Sequence, residues 1–173
     1  MPQKQLIIEV MESVIKRTRA YFKSEFDISV TKNKNMIGNM NEIALLDVTA
    51  LIRIRGAINL LVVFSFETSL INAIYYLMTL DLGIEASEVE KYRKAAAGDV
   101  INIVLGHSTI DLQRLDMSGI KITPPKILNN TNAIREIKYT MFYTQHLETS
   151  LGNMAISLVG AEKLFSTNFC LME

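Results

Sequence analysis

The sequence predicts an α+β fold: an extended antiparallel sheet packed against helices, with one long helix carrying an exposed Asp-x-x-Asn pair. Three observations carry the prediction. Apolar residues recur at helical spacing at the start of the chain and again through a long central stretch. Two β-branched runs, Ala44 to Arg55 and Ala57 to Phe66, are separated only by Gly56. Two alternating runs, near Ile134 to Thr144 and Leu151 to Val159, close the pattern.

Leu6 to Phe22 reads as an amphipathic helix. Leu6, Val10, Val14 and Ile15 fall at helical spacing, and Glu9, Glu12, Lys16, Arg17 and Arg19 fill the other face. Acids early and bases late also suit the helix dipole. Phe26 to Met36 is a weak strand, and Asn33 to Asn41, rich in Asn, Lys and Gly, reads as a turn. The two runs around Gly56 form an antiparallel hairpin, and the continuous apolar second run predicts a strand covered on both faces. Thr68 or Ser69 can cap a helix reaching about Thr79, which Asp81-Leu82-Gly83 ends. Ser87-Glu88-Val89-Glu90 has the form of a capping box and opens the longest helix, to about Leu115. Met117 to Asn132 is turn-rich around Gly119 and Pro124-Pro125. The order is α-β-β-β-α-α-β-β, with room for one short strand near Ile120.

The 173 residues fit a single domain, 1–173, with 49% apolar composition and no low-complexity segment or linker. Eighteen basic and eighteen acidic side chains cancel. That balance points away from nucleic acid and anionic membranes, toward a protein partner or small ligand. Cys170 has no second thiol to pair with, and His107 and His146 are the only histidines, so neither a disulfide nor a zinc site is expected. No run of 18 apolar residues occurs, and the start lacks a signal-peptide cleavage pattern. A soluble cytoplasmic protein without membrane insertion is the expectation.

Projected at 100° per residue, the long helix carries one stripe of Lys91, Ala95, Asp99, Asn102, Gly106, Thr109 and Gln113. It holds no large apolar side chain. Tyr92, Ala96, Val100, Ile103, Val104 and Ile110 lie on one flank, and Ala97, Ile101, Leu105, Leu112 and Leu115 on the other. Asp and Asn are mediocre helix formers, and Gly98 costs roughly 1 kcal/mol relative to Ala, so helix stability did not select these residues. Ala95, Gly98 and Gly106 leave space for a partner's backbone to reach Asp99 and Asn102. A solvated polar face is the commonest meaning of such a stripe, and periodicity alone does not choose between that and a site.

The stretch Ala97-Gly98-Asp99-Val100-Ile101-Asn102-Ile103-Val104-Leu105-Gly106 resembles the signature of the CheX/CheC-type chemotaxis phosphatases. There an acidic residue, two intervening residues and an asparagine precede an apolar pair and a glycine. Gly56 to Phe66 resembles the family's strand before its second helix, and Pro124-Pro125 the proline pair after its site helix. The likeness spans about Leu45 to Gly160. It implies hydrolysis of the aspartyl phosphate on a CheY-type response regulator, with Asn102 orienting water and Asp99 pairing with the regulator's active-site lysine. It implies no cofactor of the chain's own, magnesium arriving on the phosphorylated partner, and a homodimer formed through the sheets.

Two departures stand out. The family's acid is usually glutamate, and Asp99 is shorter by one methylene, roughly 1.3 Å. That shortening favours the alternative of a non-catalytic, flagellar-switch-like adaptor that binds regulators. His107 stands where the family often has asparagine, and is read as a packed or partly exposed structural residue. His146 is expected at the surface in a polar turn, and Arg53 and Arg55 at a solvated edge or hairpin mouth. Nine methionines suit an adaptable core.

Overall fold

The computed structural model describes residues 3–114, 119–129, 132–135, 138 and 140–165. The chain opens with helix α1 (Gln3–Phe26), then strands β1 (Thr31–Asn39), β2 (Val48–Arg55) and β3 (Leu60–Phe66). Helices α2 (Thr68–Met78) and α3 (Val89–Gln113) follow, then the short strands β4 (Lys121–Ile122) and β5 (Lys126–Ile127). A single helical turn, α4 (Asn132–Arg135), precedes strands β6 (Thr140–Thr149) and β7 (Gly152–Ala161). Among the described residues, seven strands make one sheet in the order β1-β6-β7-β3-β2, with β4 and β5 both paired along the free side of β2. Every pairing is antiparallel. This is the α+β architecture the patterning predicted.

Alternation sorts the two faces of the sheet. Ile52, Ile54, Val62, Phe64, Phe66, Ile156 and Leu158 join the main core with Val10, Val14 and Phe22 of α1 and Val100, Ile101 and Val104 of α3. On the other face Val63, Phe142 and Val159 pack with Met40, Ile43 and Ile134. β3 is therefore covered on both sides, as its continuous apolar run implied.

The cover of the second face comes from a connection that no local pattern announces. Strands β1 and β2 lie far apart in the sheet, so residues 40–47 must cross over β6, β7 and β3 to join them. Met40 and Ile43 point down into the sheet and are buried. The connection's backbone polar groups need partners there, because buried amides are costly unless bonded. Leu46 N–H donates to Ser65 Oγ, whose hydroxyl lies 3.0 Å from Thr49 Oγ1.

Asn33 to Asn41 is mostly strand rather than turn. The pairing Asn35↔Gln145 through Asn39↔Met141 holds it against β6, with an irregularity between Lys32 and Asn35. At an edge, polar side chains face water at no packing cost, and lysines discourage a further strand from adding there. Gly38 sits in close approach: a Cβ would fall 2.5 Å from Glu42 Oε2, which must move aside, and 3.2 Å from the Phe142 ring. The turn follows as a 3-10 segment, Met40–Glu42, closed by Asn39 N–H donating to Glu42 Oε2 at 3.0 Å.

Both predicted caps are replaced. Glu67 occupies the cap position of α2, and Asp47 from the crossing connection accepts from Thr68 N–H at 2.8 Å and Oγ1 at 2.7 Å. The hydrogen bonds hold the Asp47 carboxyl below its ordinary range. Ser87 sits inside a 3-10 turn, Ala86–Glu88, and α3 starts directly after it at Val89 without a side-chain cap. Ile134, expected in a strand, is buried in α4, and β6 starts at Thr140. Sheet pairing with β7 sets that start.

α1 and α3 are joined by Arg17, whose Nε donates to Asp111 Oδ2 at 2.7 Å while a second guanidinium nitrogen donates to Oδ1. The Arg17 hydrogen bond holds the Asp111 carboxyl below its ordinary value, with burial opposing and the nearby cations assisting. A depressed carboxylate stabilises the fold above its unfolded pKa, and the contribution disappears as pH falls through the folded one. At neutral pH Asp111→Asn is expected to cost about 1–2 kcal/mol, as a bidentate pair only partly exposed. Urea unfolding should show that gap shrinking as the pH falls below about 4. A gap constant across that range would sink the assignment.

Candidate functional site

Helix α3 places the predicted stripe in solvent. Lys91, Ala95, Asp99, Asn102 and Gln113 are exposed, and Gly106 and Thr109 are half-buried. The opposite side is fully closed, with Val100, Ile101, Val104 and Leu105 each 0% exposed. Both flanks therefore anchor the helix, while Asp99 and Asn102 project about 4.5 Å apart along its axis on one face. Neither side chain hydrogen-bonds or ion-pairs with another described residue. A carboxylate and an amide held free on a rigid helix can engage a cation and a water or phosphoryl oxygen supplied from outside.

The small residues around the pair divide. Ala95 is exposed and Gly106 has open space where a Cβ would stand, so both leave the approach clear. Gly98 does not. It is buried, and its Cβ position faces Ile127 and Pro125 at 3.8 Å. One residue along a helix is 100° round it, which turns Gly98 off the stripe and onto the β4–β5 loop. The neighbours it faces are the chain's own Pro125 and Ile127. Since 3.8 Å is ordinary van der Waals contact, Gly98→Ala should raise stability by about 0.5–1 kcal/mol, read in urea unfolding, and leave function unchanged. A loss of either would restore Gly98 to the site.

Tyr21 is the neighbour that sequence reading missed. Its ring packs against Phe26 (centroids 5.4 Å apart) and Phe22 (6.4 Å) at the α1–α3 contact. Burial raises its phenol pKa first, then the charges of Glu25 and Asp99. The Asp99 charge thus acts on Tyr21 across the contact between α1 and α3. No spacing within either helix could have signalled this pairing.

Other candidates separate from the stripe. His107 is exposed rather than packed, because the solvent-facing arc widens toward the C-terminal half of α3, where Ile110 is also 48% exposed. His146 is not in a turn; it sits in β6 opposite Ala155, half-buried, with burial and Lys34 lowering its pKa. Arg53 and Arg55 are exposed on β2 and point away from the helices, so the sheet lies between them and Asp99. Cys170 and Leu115 lie outside the described residues.

Residues 48–148 match the family described as chemotaxis phosphatase CheX. That span exceeds half of the chain and contains all of α3, and the chain belongs to this family. In fold it is similar to a chemotaxis protein CheX from Desulfovibrio desulfuricans: TM-score 0.72, 17% identity, 87% of this chain and 97% of that one covered. It is also similar to the Borrelia burgdorferi CheX–CheY–BeF3–Mg complex: TM-score 0.63, 12% identity, 86% of this chain and 95% of that chain covered. Thermotoga maritima FliY is a third: TM-score 0.68, 17% identity, 94% and 93% covered. At these identities the likeness is one of fold. No curated protein matches this chain in sequence. No helix among the described residues is long and apolar enough to cross a membrane.

Proposed function

We propose that this chain hydrolyses the aspartyl phosphate of a CheY-type response regulator, Asn102 orienting the attacking water and Asp99 docking on the regulator's active-site lysine. The observation that carries the proposal is the exposed, unengaged Asp99–Asn102 pair on α3 in a chain of the chemotaxis phosphatase CheX family. The similar Borrelia burgdorferi protein occurs in complex with CheY, beryllofluoride and magnesium, which supports a regulator as partner.

The chemistry asks little of the chain. The phosphoryl group and its magnesium arrive on the regulator, so the phosphatase needs only to position water. The Asn102 carbonyl oxygen accepts from the water while its NH2 donates to a phosphoryl oxygen. The water oxygen forms the new bond to phosphorus as the bond to the aspartyl oxygen breaks, giving a free carboxylate and inorganic phosphate. Asp99 accepts a charge-assisted bond from the lysine ammonium and fixes the register of α3 over the phosphate. A homodimer in the cytoplasm belongs to the same reading.

One observation favours a second reading. Asp99 is shorter than the family's usual glutamate, as suits an adaptor that binds regulators without hydrolysing them. The test follows phosphate loss from phosphorylated regulator with and without the chain. Decay no faster than the regulator's own would end the catalytic reading.

A further inference from the structure

A helix stripe of two functional side chains cannot by itself hold a folded partner. Specific docking covers about 800 Å² on each side and depends on a few apolar or aromatic anchors. The α3 stripe offers none, since Lys91, Ala95, Asp99, Asn102, Gly106, Thr109 and Gln113 include no large apolar side chain. Exposed large hydrophobic residues gather elsewhere. Four of the six among the described residues fall within seven positions: Tyr76 (62% exposed), Leu77, Leu80 (56%) and Leu82 (62%). They occupy the last turn of α2 and the connection that leads into α3. Isolated exposed leucines need no explanation, but a cluster does.

Two features say what would cover this cluster. Charge is the first: from Tyr76 to Glu90 the chain has four acids, Asp81, Glu85, Glu88 and Glu90, and no base. Lys91 and Lys94 engage Glu88 and Glu90, which leaves Asp81 and Glu85 exposed beside the leucines. A complementary surface is apolar and edged with lysine or arginine. Continuity is the second. The exposed stripe runs from Asp99 through Ala95 and Lys91 straight into the connection. Ten residues of helix place the start of α3 about 15 Å from Asp99. An 800 Å² patch is roughly 30 Å across, so a partner seated over Asp99 extends past the start of α3 toward the connection.

We propose that the Tyr76–Leu82 cluster is the apolar anchor for the regulator's receiver domain, docked by a lysine-edged apolar surface while Asp99 and Asn102 meet its phosphoryl group. This rests on the proposed function and adds the part of the surface that supplies affinity.

Titration calorimetry tests it, with CheY-type receivers of the same organism activated by beryllofluoride and magnesium. Leu80→Asp/Leu82→Asp should weaken binding at least tenfold, and Leu80→Ala/Leu82→Ala several-fold. Leu151→Asp, exposed on the β6–β7 turn, should leave affinity unchanged. Matching thermal unfolding of the variants excludes misfolding. Wild-type affinity in the double-aspartate variant overturns the anchor and leaves the proposed function standing. Wild-type chain that binds no activated receiver overturns both.

Discussion

Asn102→Ala should lower the chain's acceleration of regulator dephosphorylation by on the order of a hundredfold or more, while regulator binding persists. In the proposed reaction positioning is the chain's main contribution, and losing an oriented group costs factors of this size. The exposure of Asn102 keeps the substitution away from the core, so thermal unfolding should not move. The measurement is decay of phosphorylated regulator at saturating chain, where kcat falls and KM does not. An Asn102→Ala chain equal to wild type would remove Asn102 from the reaction and leave the adaptor reading.

Asp99 gives the second large effect, and it runs in both directions. Asp99→Ala should raise KM more than tenfold, because the partner's lysine loses its charge-assisted bond on docking. Asp99→Glu restores the family's usual reach, and a geometric gain near 1 Å can be worth up to about a hundredfold in rate. Activity should therefore rise with the longer acid. An adaptor would bind differently after either change yet gain no hydrolysis from Asp99→Glu. The same phosphate-loss assay separates the two readings.

Much of this site was legible in the chain because a helix is a local object. Its 3.6-residue period depends on neighbours in sequence, so the stripe, its apolar flanks and the exposure of Asp99 and Asn102 follow from spacing. The β2–β3 hairpin was legible for the same reason, its register running from Val48↔Phe66 to Ile54↔Leu60 about one short turn. Gly98 shows where adjacency misleads: next to Asp99 in sequence, it faces Pro125 across the fold.

What escaped the sequence depends on residues far apart in the chain. Asp47, just before β2, caps α2 from the end of the neighbouring strand, and Arg17 ties α1 to Asp111. Residues 33–39 become a strand only because β6 offers an edge, despite side chains that locally favour a turn. Tyr21 feels the Asp99 charge only because α1 lies against α3. The sequence by itself determined the helix, its polar stripe and the acid–amide spacing, since backbone geometry repeats every few residues. Tertiary structure decided what lies against that helix. Burial and pairing energies are realised only between surfaces that the finished fold brings together.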